Sequence, residues 1–187
     1  MGSTDYACDD DGIAFITINN PSRKNAMTYQ MIEEMYRHLT VAGNEARVVI
    51  LTGAEDAFCA GIDLNFLSGI PPEERGIKVP THDESGLWNI TACPVPVIAA
   101  VNGPAVGMGA EWTSHCDIRI VSTNARFAWN FAHRGLIPDT GAGTWLLPRQ
   151  IGIQNALKLL YSGEWLDAQR AYEIGYCLLY TSPSPRD

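Results

Sequence analysis

The apolar positions of this chain fall into short β-branched bursts separated by longer stretches with a three- to four-residue spacing. Residues 12–18, GIAFITI, alternate in the manner of a strand. A turn over 19–22 and a basic loop, Arg23-Lys24-Asn25-Ala26-Met27, follow. Thr28 then reads as the cap of a helix running to about Ala42, with Met31, Met35, Leu39 and Ala42 on one face. Residues 47–51, RVVIL, are continuously apolar and predict a central strand ended by Thr52-Gly53. After a small-residue turn, AFCAGIDL, a short helix is expected over 64–67. Pro, Gly and charge over 69–81 predict a surface loop, and a helix is expected over 83–92. Strands are expected at 97–101, 118–121 and 125–128, and helices at 144–151, 155–162 and 168–174. This alternation predicts an α/β fold of repeated βαβ units in one domain, residues 1–175. The last ten residues, LLYTSPSPRD, break the pattern. They read either as an ordinary tail or, the preferred expectation, as a non-native segment over 178–187 on a natural chain that continues.

The stretch from Pro96 to Asp117, PVIAAVNGPAVGMGAEWTSHCD, carries the densest candidate chemistry. Asn102-Gly103-Pro104 breaks its strand, and Gly107-Met108-Gly109 leads into a helix that is expected to begin with AEWTSHC. A helix start presents unpaired N–H groups and partial positive charge. Glycines beside it allow close approach to that backbone. Glu111 follows within one turn, so anion-stabilising donors stand beside a candidate acid/base. The alternative is a small-residue turn made only for packing.

Bulk properties narrow the function classes. The 187 residues suffice for one domain, and 46% hydrophobic with 18% charged content fits a globular protein. A net charge of −8 argues against nucleic acid or an anionic membrane as partner. No apolar run reaches the length of about 18 residues expected of a membrane span. The five cysteines are scattered without a CxxC pair, so neither a zinc site nor a disulfide framework is indicated, and a cytoplasmic setting is expected.

Four stretches in order, FITINNPSRKNAM, VVILTGAEDAFCAGIDL, PVIAAVNGPAVGMGAEWTSHCDIRI and GLIPDTGAGTWLLPRQIG, resemble the crotonase (enoyl-CoA hydratase/isomerase) superfamily. The resemblance implies a crotonase-like spiral of βαβ units that binds an acyl-CoA thioester and assembles as homotrimers or hexamers. It also implies that a C-terminal helical trimerisation region is missing here, and hence that the chain as written exposes apolar surface and is unstable or aggregates. Coenzyme A is part of the substrate, so no separate cofactor and no metal are implied. In the family, two backbone N–H groups stabilise a thioester enolate; by motif position these resemble Ala60 and Met108, with Gly61 and Gly107 allowing the approach. Arg23 and Lys24 match the basic loop that reaches the coenzyme A phosphates. Ala26, Ile62, Asp63 and Leu64 fall along the adenine and pantetheine path.

Hydratases of the family use two glutamates. The first matches Glu111, but the second falls on Phe131, whose ring carries no proton. Asp139 offers a replacement: an aspartate here resembles the acid/base of certain enoyl- and dienoyl-CoA isomerases, and also the nucleophile of chlorobenzoyl-CoA dehalogenase. The alternative is that Asp139 caps the following helix. His133 is a further candidate base facing the acyl pocket. His115, one turn after Glu111, could hydrogen-bond it. Trp112, Trp129, Phe131 and Trp145 either line an aromatic acyl site or belong to the core. The expected activity is therefore double-bond isomerisation or a variant hydration. The alternatives are Asp139-centred dehalogenase- or hydrolase-type chemistry on an aryl-CoA, and a non-catalytic acyl-CoA-binding scaffold.

Overall fold

The computed structural model describes residues 2–71, 88–138 and 142–179. Its main sheet has six strands in the order β1-β2-β3-β4-β6-β9. These are β1 (Ser3–Cys8), β2 (Ile13–Asn19), β3 (Val48–Gly53), β4 (Val97–Val101), β6 (Ile118–Val121) and β9 (Leu178–Leu179). Only the β1–β2 pair is antiparallel; every other neighbour is parallel. A second sheet, in the order β5-β7-β8, comprises β5 (Pro104–Val106), β7 (Arg126–Ala128) and β8 (Leu166–Asp167). The helices are α1 (Tyr29–Glu45), α2 (Leu64–Ser68), α3 (Met108–His115), α4 (Ala142–Ile151), α5 (Ile153–Ser162) and α6 (Ala168–Glu173).

The expected α/β alternation is present, and the physical reasons are local. Thr28 accepts the Met31 N–H at 3.3 Å and starts α1, which buries Met31, Ile32, Met35, Tyr36, Leu39 and Ala42. Against this face, β2 and β3 turn Ala14, Ile16, Ile18, Val49 and Leu51 inward. A large apolar side chain buried this way contributes roughly 1.5–3 kcal/mol.

Three expectations are corrected, and one strand, β1, is added where none was expected. The acidic N-terminus forms β1, an edge strand in full register with β2 from Ser3–Asn19 to Cys8–Ala14. Pro104 opens β5 instead of a loop, as proline can at the first residue of a strand, where its missing N–H is not needed. Of the helix expected over 83–92, only 88–92 is described, and it forms tight turns closed by Ala92 N–H to the Trp88 carbonyl at 2.8 Å. Leu178 and Leu179, placed in the tail by sequence, pair as β9 with Ile120 and Val121. The rest of the expected tail, 180–187, and residues 72–81 of the expected loop lie outside the described residues.

Candidate active site

Two small-residue turns meet at the join between the sheets. The first runs from Cys59 to Asp63. Cys59 pairs with β5: its N–H donates to the Pro104 carbonyl at 3.2 Å, and its carbonyl accepts the Val106 N–H at 2.9 Å. On the other side, Ile62 bridges to Met27 in parallel fashion. The Met27 N–H donates to the Gly61 carbonyl at 2.8 Å, and the Asp63 N–H donates to the Met27 carbonyl at 2.9 Å. Gly61 has φ +90°, which favours glycine. A Cβ on it would lie 3.0 Å from the Val106 carbonyl oxygen and 3.7 Å from the Met108 nitrogen.

These bonds fix where the turn's N–H groups point. In a trans peptide the carbonyl and the N–H face opposite ways. The Gly61 carbonyl faces Met27, so the Ile62 N–H of the same peptide faces away from Met27, and among the described residues it meets no acceptor. The Ala60 N–H, expected as an oxyanion donor, instead donates to the Lys24 carbonyl at 3.0 Å. Its physical reason is the basic loop, which folds back on the turn and takes that hydrogen. Ile62, read from sequence as part of the pantetheine path, is thus the residue of this turn with an available amide.

The second turn opens α3. Gly107, at φ +56°, precedes the helix, donates to the Ala128 carbonyl at 2.8 Å and accepts the Glu111 N–H at 3.0 Å. The N–H of Met108 therefore lies at the positive end of a helix whose residues are all buried. The helix begins at Met108, two residues before the expected start. Gly109 brings it onto the first turn, since a Cβ there would overlap the Cys59 carbonyl oxygen and lie 2.8 Å from the Cys59 Cβ. Cys59 itself is fully buried, and its Sγ accepts the Gly61 N–H at 3.3 Å. Burial pushes its thiol up to about 12, so it is an uncharged packing group.

Glu111 is fully buried, one turn into α3. Its Oε1 accepts the N–H of Gly143, in the first turn of α4, at 3.1 Å. A buried carboxylate is costly unless hydrogen-bonded, and a helix start offers both donors and favourable potential. The Phe131 ring approaches the same place: a Cβ on Gly107 would lie 3.9 Å from Phe131 Cζ. Phe131 therefore flanks the start of α3 as an apolar wall. Asp139 lies outside the described residues.

The loop at 21–27 closes another side. Arg23 pairs with Asp63 at 2.8 Å, and Lys24 pairs with Asp56 at 2.6 Å, the latter pair exposed. Arg23 holds the Asp63 carboxyl below the usual carboxylate range against the opposing effect of burial. Asp63 also caps α2, accepting the Asn65 and Phe66 N–H groups at 2.9 and 3.3 Å. Lys24 lowers the Asp56 carboxyl in the same direction. Ala26 is buried beneath the loop, whereas Leu64 is exposed. Asn25, which the sequence reading passed over, is fully buried at φ +57° and donates through Nδ2 to the Ala54 and Ala57 carbonyls at 2.8 and 2.7 Å. Its signal was an asparagine between a basic pair and an apolar pair, because asparagine tolerates left-handed backbone.

Several candidates have partners of their own among the described residues. His133 is exposed, and its Nε2 faces the Ser162 carbonyl at 2.7 Å, at the end of α5. It is held by that helix end. His115 faces Thr91 through Nδ1 at 2.8 Å and stacks edge-on to Trp88. Trp112 and Trp129 are core residues, the latter packed with Phe127 and Tyr176. Trp145 is about half exposed, beneath the Arg149 guanidinium at 3.3 Å.

Comparison with known proteins identifies the family and the fold. Residues 9–178 match the family described as enoyl-CoA hydratase/isomerase. A probable enoyl-CoA hydratase of Rhodobacter capsulatus is 38% identical over 169 residues, which is 88% of this chain and 63% of that protein. The 1,2-epoxyphenylacetyl-CoA isomerase of Escherichia coli is 37% identical over 169 residues, covering 88% of this chain and 64% of the isomerase. An enoyl-CoA hydratase/isomerase crystal structure from Pseudoalteromonas atlantica superposes with a TM-score of 0.84 at 33% identity, over 95% of this chain and 69% of that one. The chain thus spans just under two thirds of the length of the curated relatives it matches. On its fold, its sequence and the order of its turns, this chain belongs to the enoyl-CoA hydratase/isomerase family.

Proposed function

We propose that the protein acts on an acyl-CoA thioester, polarising the thioester carbonyl between the N–H groups of Ile62 and Met108 and moving a proton with Glu111. The observation that carries this reading is the meeting of two amide-bearing turns beside a fully buried carboxylate. An enolate oxygen gains most from donors that are already oriented, because nothing must reorganise as charge develops. The Met27 bridge and the α3 start supply that orientation. Gly61 and Gly107 leave room for the thioester beside the donors. Arg23, Lys24, Ala26 and Leu64 line the approach from the loop, where the cations can exchange Asp63 and Asp56 for phosphate.

Among the reactions open to such an enolate, double-bond isomerisation or a variant hydration fits best. By motif position Phe131 falls where the family's second glutamate would serve a two-glutamate hydration, and its ring carries no proton. Asp139 is proposed as the second carboxylate. An aromatic acyl group is compatible with that ring, and the similar isomerase is named for one. The second reading is dehalogenase-type substitution, in which the Asp139 carboxylate bonds to an aryl-CoA ring carbon as a halide leaves it; an aromatic acyl group beside Phe131 suits that substrate as well.

The test uses the full-length protein with 2-enoyl-, 3-enoyl- and aryl-CoA thioesters in deuterated water, read by product mass and label position. Deuterium uptake without added water is expected. Added water with one α-deuterium would mean hydration; a covalent aspartyl adduct would mean substitution. Binding without any exchange would overturn the enolate reading.

A further inference from the structure

We infer that Gly143 is a positioning residue that sets where the Glu111 carboxylate stands relative to the Met108 N–H; this rests on the reading that Glu111 moves a proton. The Gly143 N–H meets Glu111 Oε1 at 3.1 Å. A Cβ built on Gly143 would lie 2.6 Å from that same oxygen, inside the range that real Cβ contacts avoid. Its other close neighbours are Pro138 Cβ at 3.1 Å and Leu160 Cδ2 at 3.2 Å, which need to give only a few tenths of an ångström. Gly143 lies within α4 and needs no left-handed backbone. Alanine would be the better helix former there. What glycine provides at 143 is therefore contact with the carboxylate: an N–H that holds it and no side chain to push it away. Because α3 is buried along its whole length, Glu111 has no exposed surface to retreat to.

The test compares Gly143→Ala, Glu111→Gln and the two combined in the full-length protein, reading α-proton exchange and thermal melting. Gly143→Ala is expected to lower kcat by about 10²-fold, the scale of a ~1 Å misplacement, with KM nearly unchanged. In the Glu111→Gln background the alanine is expected to have no further effect, because the residue it acts through is gone. Combining Gly143→Ala with Glu111→Asp, which shortens the carboxylate by one methylene, recovers part of the lost rate. If Gly143→Ala alone does not fold, the combination with Glu111→Asp must restore cooperative melting. An unchanged kcat, an equal loss in the Glu111→Gln background, or unfolding that persists with Glu111→Asp would overturn the inference. Full activity of Glu111→Gln by itself would instead overturn the acid/base reading beneath it.

Discussion

The two turns that flank the candidate site are built by different means. The turn at Gly107–Gly109 is local: a strand ends, a glycine reverses the backbone, and a helix begins. Its available N–H groups follow from being a helix start. The turn at Cys59–Asp63 is non-local. It is clamped by Met27 and Lys24 on one side and by Pro104 and Val106 on the other, residues 34 to 47 positions away. Which of its amides is left over depends on those partners. A local device can be read from sequence, whereas a donor left over from long-range pairing cannot.

That difference can be broken at several points. The largest effect is expected behind the helical turn. Glu111→Gln should lower kcat by roughly 10²–10⁴, the usual range for loss of a positioned acid or base, as measured by α-proton exchange. Next, Met108→Pro removes one N–H at the first helical position, where proline is tolerated. It should cost about 10²–10³ in kcat with the helix retained by circular dichroism. The non-local turn should respond in stability first. Asn25→Ala leaves the buried Ala54 and Ala57 carbonyls without the donor that joins them, and should destabilise by roughly 1–3 kcal/mol in denaturant unfolding.

The smallest effect concerns the Arg23–Asp63 pair. The folded-state carboxyl is held below its unfolded value, so its contribution is present above that value, near 4, and fades as pH falls through the folded one. Arg23 is partly exposed, so roughly 0.2–1 kcal/mol is expected. The gap between the wild type and Asp63→Asn should therefore be measurable at pH 7 and shrink toward pH 3.

Legibility followed the same division across the molecule. The strands at 13–19, 48–53 and 97–101 announce themselves by β-branched runs, and Thr28 announces α1. β1 does not, because Ser3, Thr4 and Asp5 are polar residues without a β-branched run, and their strand state comes from pairing with β2. β5 is masked by a proline, and β9 is only two residues long. Met108 and Glu111 were legible because their helix is local. The glycine motif names the turn at 59–63 but not the direction of its peptides, so the bond from the Ala60 N–H to the Lys24 carbonyl is not visible in it. The Ser162 carbonyl that His133 faces lies across the fold, a partner that no local pattern shows. Ile137 and Tyr161 are 74% and 75% exposed. Such side chains favour association, which sedimentation of the chain as written would detect.

The central claim is that Ile62, and not Ala60, supplies the second amide to the thioester oxygen. Replacing Ile62 by its α-hydroxy acid in the semisynthetic full-length protein converts that one peptide to an ester and deletes the N–H. The carbonyl stretch of a bound ¹³C-labelled acyl-CoA reads the result directly. The account predicts that the ester at 62 reverses much of the downshift seen on binding and lowers kcat by about 10²–10³, while the ester at 60 leaves both intact. An ester at 60 that abolishes the shift, with the ester at 62 silent, would contradict it.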